Sequence, residues 1–322
     1  MLYPLKFSPI LKEKIWGGNK LGEIYRCKDA QYIGESWVLS GYAGDESVVT
    51  NGELAGQTLI QLIDTYKDTL LGKAVYEKFG KNFPLLFKLI DANDKLSIQV
   101  HPNDATAFQR HKSFGKTEMW YIIDAEQNSE LIIGFNKDVT PTEYATALAN
   151  GTLETLLQRV KVHAGDVFFI PAGLIHAIGK GILLAEIQQS SDITYRIYDY
   201  QRKDANGNER ELHKEQAIDV INYKKTENAK VLYQNKINEF ETLVNCKYFT
   251  TSVMEFSNKQ FLDYGEIENF VVLLCVEGKF ELKTANCEIT VECGETVFLP
   301  ANTEVVQLIP AQISRILEVV ID

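Results

Sequence analysis

The chain has 322 residues, 45% hydrophobic and 24% charged, and its 33 Lys and Arg against 44 Asp and Glu leave a formal charge of −11. Such a chain can bury a sizeable core as one long or two ordinary domains. Its acidic excess excludes a nucleic-acid binder, which needs a basic face to neutralise phosphates. No apolar run is long enough to span a bilayer, no basic-then-apolar leader opens the chain, and the five cysteines (Cys27, Cys246, Cys275, Cys287, Cys293) are scattered without a Cys-x-x-Cys pair. A cytoplasmic protein with reduced thiols is expected, with no membrane contact and no obligate protein partner.

In chain order, the first ~50 residues, rich in Gly, Trp and Tyr, predict short strands and turns. Residues 56–80 predict a helical insert, because Leu59, Ile60, Leu62, Ile63, Tyr66 and Leu70 recur at helical spacing. From Phe83 to Phe135 the runs read as strands. A second helical insert is expected over 140–159, opened by Thr140-Pro141-Thr142-Glu143, a capping box with proline at the first helical position. Strands resume from Val160 to Tyr200, and Asp204 to Asn208 predicts a turn at its Asn-Gly pair. A short helix is expected from Glu215 to Tyr223, followed by a polar linker over Lys224 to Lys236. The remainder predicts strands at Phe270–Cys275, Lys279–Lys283, Glu288–Glu292 and Thr296–Leu299, the spacing of a β-sandwich or jelly roll.

One segment is echoed. Gly165-Asp166-Val167-Phe168-Phe169-Ile170-Pro171 resembles Gly294-Glu295-Thr296-Val297-Phe298-Leu299-Pro300. Both read as a turn, a buried strand and a proline-closed turn, which predicts two related β-barrels in tandem. The first copy leads to His176; the equivalent place in the second is Val305. The expected domains are therefore 1–235, carrying the helical inserts and a metal site, and 236–322, without metal ligands.

Gln99 and His101, two apart in a strand, share a face. With Glu118 and His176 they make a mixed nitrogen and oxygen donor set that suits zinc and accepts manganese, iron or cobalt. The other histidines, His111, His163 and His213, read as ordinary surface or core residues. The spacing Gly-x5-Pro-x-Gly-x2-His from Gly165 to His176 resembles the second cupin motif, whereas the usual first-motif His-x-His is replaced by Gln99-x-His101 with Glu118 well downstream. That departure, with Gln-Val-His-Pro, Thr-Glu-Met-Trp, Pro-Ala-Gly-x-x-His-Ala, Glu186 to Asp192, Tyr195 to Asp199, Trp16-Gly17-Gly18 and Gly34-Glu35-Ser36-Trp37, resembles the short bacterial type I phosphomannose isomerases.

The resemblance implies a mainly β protein of two tandem cupin-type jelly-roll barrels with small helical inserts. It implies one Zn2+ per chain, held by Gln99, His101, Glu118 and His176, and a catalytic Arg196. The reaction implied is the interconversion of mannose 6-phosphate and fructose 6-phosphate through a cis-enediol, which needs a base and fixed cations near developing negative charge. Glu186, Asp192 or a water is the candidate base, although Asp192 also suits a turn cap. Lys88, a cation inside an apolar run, and Lys116 are candidate substrate contacts, and each can also snorkel to solvent. Ser36 is a candidate hydrogen-bond donor to the substrate phosphate. Arg196 has a second reading as the internal partner of Asp199. Another cupin enzyme, such as a dioxygenase or a cupin-type glucose-6-phosphate isomerase, and a non-catalytic sugar-binding protein are the alternatives.

Overall fold

The computed structural model describes residues 2–27, 32–203 and 206–321. The protein is mainly β, and its strands lie in four sheets. The eight-stranded sheet runs, edge to edge, Lys230–Val231, Val167–Ile170, Glu118–Ala125, Ile182–Gln189, Leu85–Ala92, Ile10–Gly18, Ile33–Tyr42 and Asp45–Glu46. The five-stranded sheet runs Tyr195–Tyr198, Ile98–Val100, His176–Ile178, Glu130–Phe135 and Leu157–Lys161. Between them lies an apolar core with Ile90, Trp120, Ile122 and Leu184 from the larger sheet and Leu131, Ile133 and Ile178 from the smaller.

The rest of the chain repeats this plan. A six-stranded and a four-stranded sheet enclose a second core, with Phe256, Leu273 and Ile316 facing Phe280, Leu282 and Leu308. A third core joins the two large sheets back to back, with Phe87, Leu89, Met119 and Ala185 against Val272, Leu274 and Leu317. Leu5–Lys6, at the start of the chain, pairs with Val297 and Phe298 in the six-stranded sheet. Among the described residues none of the four sheets closes on itself, so the expected barrels are open sheets facing one another.

The eight-stranded sheet is thus covered on both faces. Leu85–Ala92 and Ile182–Gln189 are buried at every position, which is why they read as continuous apolar runs rather than alternating ones. The C-terminal strands match their expected bounds at Lys279–Lys283, Glu288–Glu292 and Thr296–Leu299. The sequence echo is a structural one. Gly165 and Gly294 take φ values of 88° and 89°, and each turns the chain into a buried strand, Val167–Ile170 or Thr296–Leu299.

Helices occur at Leu59–Leu71 and Lys73–Phe79 in the first insert, with Thr58 and Gln61 forming a capping box. The second insert departs from expectation. Thr140 and Glu143 cap a helix that runs only from Pro141 to Ala149. Gly151, at φ 71°, reverses the chain, and Leu157–Lys161 is a strand with alternating burial that pairs with Glu130–Phe135. The expected helix to Tyr223 is a single turn, Lys214–Ile218, after which Tyr223 stacks on Phe135. Two helices went unforeseen: Lys20–Ile24, and Asp104–His111, whose cap Asn103 accepts the Thr106 N–H. The polar linker is packed: Lys230–Val231 pairs with the Val167–Ile170 strand, and Tyr233 donates to the Gly165 carbonyl. The turn expected from Asp204 begins at positions 204 and 205, outside the described residues; Lys203 and Glu209 bridge on either side of it.

The back-to-back core depends on Phe298, whose ring stacks on Phe270 at 5.0 Å and lies 6.2 Å from Phe83. Phe298→Ala opens a cavity there and should cost about 3–5 kcal/mol. Denaturant unfolding followed by fluorescence measures it; an unchanged midpoint would show that the two large sheets do not depend on this contact.

Candidate metal centre and active site

The site forms where one end of the eight-stranded sheet meets the five-stranded one. His176 pairs directly with Gln99, and Gln99 in turn with Arg196. From the larger sheet, Glu118 lies opposite Gln188, and Glu186 lies between Lys88 and Trp120. Residues two apart on a strand share a face, so Glu186 points into the same interior as Leu184, and Lys88 as Ile90.

His101, Glu118 and His176 are all buried, and their ligand atoms lie within 4.8 Å of one another; they are the one such group among the described residues. Nδ1 of His101 donates to the Ile193 carbonyl at 2.9 Å, and Nδ1 of His176 to that of Leu174 at 2.8 Å. Each ring is thereby fixed with the Nε2 lone pair facing Glu118, at 3.6 Å and 3.4 Å. Backbone carbonyls that orient an imidazole in this way are a common support for metal-binding histidines. Burial pushes His176 down to about 4 and His101 well below its ordinary range, so both rings are neutral, as ligands must be. Burial pushes the Glu118 carboxyl up and the nearby Glu186 adds to this, while Lys116 opposes both.

The donor set fits a divalent cation. Glu118 Oε1 is buried without a hydrogen-bond partner and faces the His176 Nε2 lone pair. Two buried acceptors pointed at each other need a positive group between them. The Gln99 amide nitrogen lies 3.2 Å from His176 Nε2, and a half-turn of the amide presents its oxygen instead.

Behind the ligands runs a row of buried charge. Lys116 Nζ lies 2.9 Å from Glu118 and 3.9 Å from Glu186; Lys88 Nζ lies 3.4 Å from Glu186 and 4.0 Å from Glu35; and Lys14 lies 3.3 Å from Glu35. Trp120 and Trp37 donate their indole N–H to Glu186 and Glu35, each at 2.8 Å. Burial alone would lower Lys116 and raise the two carboxyls, but opposite charges outweigh it. Lys116 is held protonated by Glu118 and Glu186; Glu186 is lowered by Lys116 and Lys88; Glu35 is lowered to about 2 by Lys88 and Lys14.

In front of the ligands is a cleft of about 230 Å³. Gln99, Lys88, Lys116, Glu186, Asp192 and Arg196, all expected from the sequence, line it. Asp192 is exposed there and caps no turn among the described residues. Arg196 is not paired with Asp199: that carboxylate is held by Arg202 and Arg210, at 2.6 Å each. Arg196 donates instead to the Glu211 carbonyl at 3.0 Å, and its Nε has no partner. Burial and the neighbouring Arg210 lower its pKa from the ordinary guanidinium value.

Ser36 is placed elsewhere. It is fully buried and donates to the Tyr25 hydroxyl at 3.0 Å, because the pleat of Ile33–Tyr42 turns Glu35 and Trp37 toward the cleft and Ser36 away from it. Glu35, Lys14, Arg210 and His213 also line the cleft and were not singled out. His213, expected to be an ordinary surface or core residue, accepts the Arg196 backbone N–H through Nδ1 at 3.2 Å. The signal available for Glu35 was its place in the Gly34-Glu35-Ser36-Trp37 motif.

The architecture is a cupin-family fold, and the "Mannose-6-phosphate isomerase, cupin domain" family model matches residues 239–311. The "Phosphomannose isomerase type I, catalytic domain" model matches residues 4–146. The chain is 39% identical to the mannose-6-phosphate isomerase ManA of Bacillus subtilis over 300 residues, 92% of this chain and 93% of that one. It is 40% identical to the mannose-6-phosphate isomerase of Streptococcus mutans over 307 residues, 93% of each. The crystal structure of the Bacillus subtilis mannose 6-phosphate isomerase superposes with a TM-score of 0.90 at 32% identity, covering 99% of this chain and 100% of that one. The chain belongs to the type I phosphomannose isomerase family of aldose–ketose isomerases, as its motifs led us to expect.

Lys88 is the cation common to Glu35 and Glu186. Lys88→Met leaves two buried carboxylates short of charge, and removing one partner of a buried pair costs about 3–5 kcal/mol. A thermal melt indistinguishable from that of the parent would contradict this account of the row.

Proposed function

We propose that this chain interconverts mannose 6-phosphate and fructose 6-phosphate through a cis-enediol, using one Zn2+ held by Gln99, His101, Glu118 and His176. The observation that carries this reading is the buried Glu118 carboxylate, unbonded at Oε1, between two neutral imidazoles and next to a cleft lined by Gln99, Arg196, Lys88 and Lys116. When bound, the cation would polarise the sugar oxygens at C1 and C2 and help to orient the open chain.

The remaining work falls to the protein's own side chains. Glu186 is ionised, anchored at Oε2 by Trp120, and free of hydrogen bonds at Oε1. It is our choice to move the proton between C1 and C2, with Asp192, exposed in the same cleft, as the second carboxylate. Lys116 and Lys88 keep Glu186 charged and bring positive potential to the enediolate. Arg196, with no carboxylate of its own, serves as the cation for developing oxygen charge.

The reading includes two tandem jelly-roll units, residues 1–235 with the metal and residues 236–322 without it. In the second, Val305 stands at the place of His176 and is about half exposed. A cytoplasmic setting belongs to the same proposal, since the described cysteines are unpaired and the substrate is a phosphorylated metabolite.

Two experiments test it. Elemental analysis of the purified protein should find about one zinc per chain, and His176→Ala should lose most of it; undiminished zinc would refute the ligand set. Arg196→Ala should lower kcat by roughly 10²–10³-fold with a smaller change in KM and little loss of stability. Near-normal kcat would remove Arg196 from the chemistry.

A further inference from the structure

Lys116 and Glu118 sit on a short connection between the Asp104–His111 helix and the Glu118–Ala125 strand. Their placement to within tenths of an ångström matters, because one is a cation and the other an anion in the same buried row. The connection is held by three backbone N–H groups. Gly115 donates to Asp104 Oδ1 at 3.1 Å, Lys116 to the Pro102 carbonyl at 3.1 Å, and Thr117 to Gln189 Oε1 at 3.0 Å. Gln189 Nε2 donates to the same Asp104 Oδ1 at 2.8 Å, and the Gln189 backbone N–H donates to the Thr117 carbonyl at 3.1 Å. A Cβ at residue 115 would lie 2.5 Å from the Asp104 nitrogen, so the connection is pressed against the start of the helix and only glycine fits.

The other Asp104 oxygen reaches a distant part of the chain. Oδ2 accepts the Tyr248 hydroxyl at 2.7 Å and lies 3.3 Å from Lys247 Nζ. Tyr248 is partly buried against the core between the two large sheets. A continuous hydrogen-bonded path thus runs from residue 248 through one carboxylate and one amide to the backbone on both sides of Lys116.

We propose that Asp104, with Gln189 and Tyr248, is a positioning assembly by which the C-terminal region fixes the Lys116–Glu118 segment in its working geometry. For Glu118 this rests on the reading of that residue as a metal ligand. None of the three side chains lines the cleft, so they act through the backbone they hold.

Four variants test it: Asp104→Ala, Asp104→Asn, Tyr248→Phe and Glu118→Gln. Each is assayed for Zn2+ affinity by chelator competition, for kcat and KM with mannose 6-phosphate, and for thermal stability without metal. Asp104→Ala should weaken Zn2+ and lower kcat by about 10-fold, the lower end for groups that support metal ligands, with KM changed less. Asp104→Asn should restore both, because its amide oxygen accepts from Gly115 and Gln189 and its NH2 donates to Tyr248. Tyr248→Phe, which loses one hydroxyl and keeps its ring, should shift affinity and kcat in the same direction, and carries the test if Asp104→Ala does not fold. Parent-like Zn2+ affinity and kcat in Tyr248→Phe and Asp104→Ala would overturn the proposal, as would a loss that Asp104→Asn fails to rescue. Glu118→Gln separates the two readings. If it binds Zn2+ like the parent, the ligand assignment fails, and the kcat loss in Asp104→Ala still reports the placing of Lys116.

Discussion

Adjacent strands of the eight-stranded sheet, with Lys116 just ahead of one of them, bring Lys14, Glu35, Lys88, Glu186, Lys116 and Glu118 into one row of alternating sign, buried from Lys88 to Glu118. Lys14 remains partly in water, but Lys88, Glu186, Lys116 and Glu118 have been taken out of it, at a cost of several kcal/mol each, and each is tolerable only because its neighbours carry the opposite charge. The row therefore constrains everything around it. The strands must keep their register, since a slip by one residue would turn these side chains to the other face. The two indole N–H donors must stay in place to complete the carboxylates. The far end of the row, at Glu118, is where opposite charge runs short, and there the two neutral imidazoles converge.

The row sets its two innermost carboxylates to different charge states. Glu186 and Glu118 are close enough to influence each other, yet they differ sharply. Glu186 lies between two lysines and is held ionised; Glu118 has one lysine and is pushed toward the neutral form. Pairs of acids driven apart in this way are how a site assigns different tasks to chemically similar groups. On the cleft side, Asp199 takes up Arg202 and Arg210, and among the described residues Arg196 has no carboxylate partner.

The His101, Glu118 and His176 cluster also depends on parts of the chain distant in sequence. The His101 and His176 rings are set by the carbonyls of Ile193 and Leu174. The segment bearing Lys116 and Glu118 is set by Asp104 and Gln189, with Tyr248 beyond them. The leading strand Leu5–Lys6 crosses to the six-stranded sheet, and the polar stretch near Lys230 adds a strand to the eight-stranded one. The first of these crossings ties the two sheet pairs together, and the second extends the sheet that carries the buried row.

Local chemistry was legible in the sequence. The Gly165 to His176 spacing carries a turn, a strand and a histidine of the buried cluster in one stretch, and the second copy repeats the turn and the strand without the histidine. The C-terminal strands were read closely because most of them alternate between core and solvent. Lys88 stood out because a cation inside an apolar run needs a partner. The tertiary structure decided what depends on which face a strand buries and on what crosses to it. Ser36 and Glu35 are neighbours, and only the pleat of a strand already docked makes Glu35 the cleft residue. The helix after Thr140 was capped as expected, but its length was set by Gly151 and by pairing with Glu130–Phe135. Arg210 and His213 reach the cleft on a segment whose course no local pattern predicts. The sequence names the groups able to do the chemistry, since composition and spacing are local properties. Their partners come from long-range strand pairing, which brings Glu186 against Lys88 across 98 positions that no periodic pattern connects.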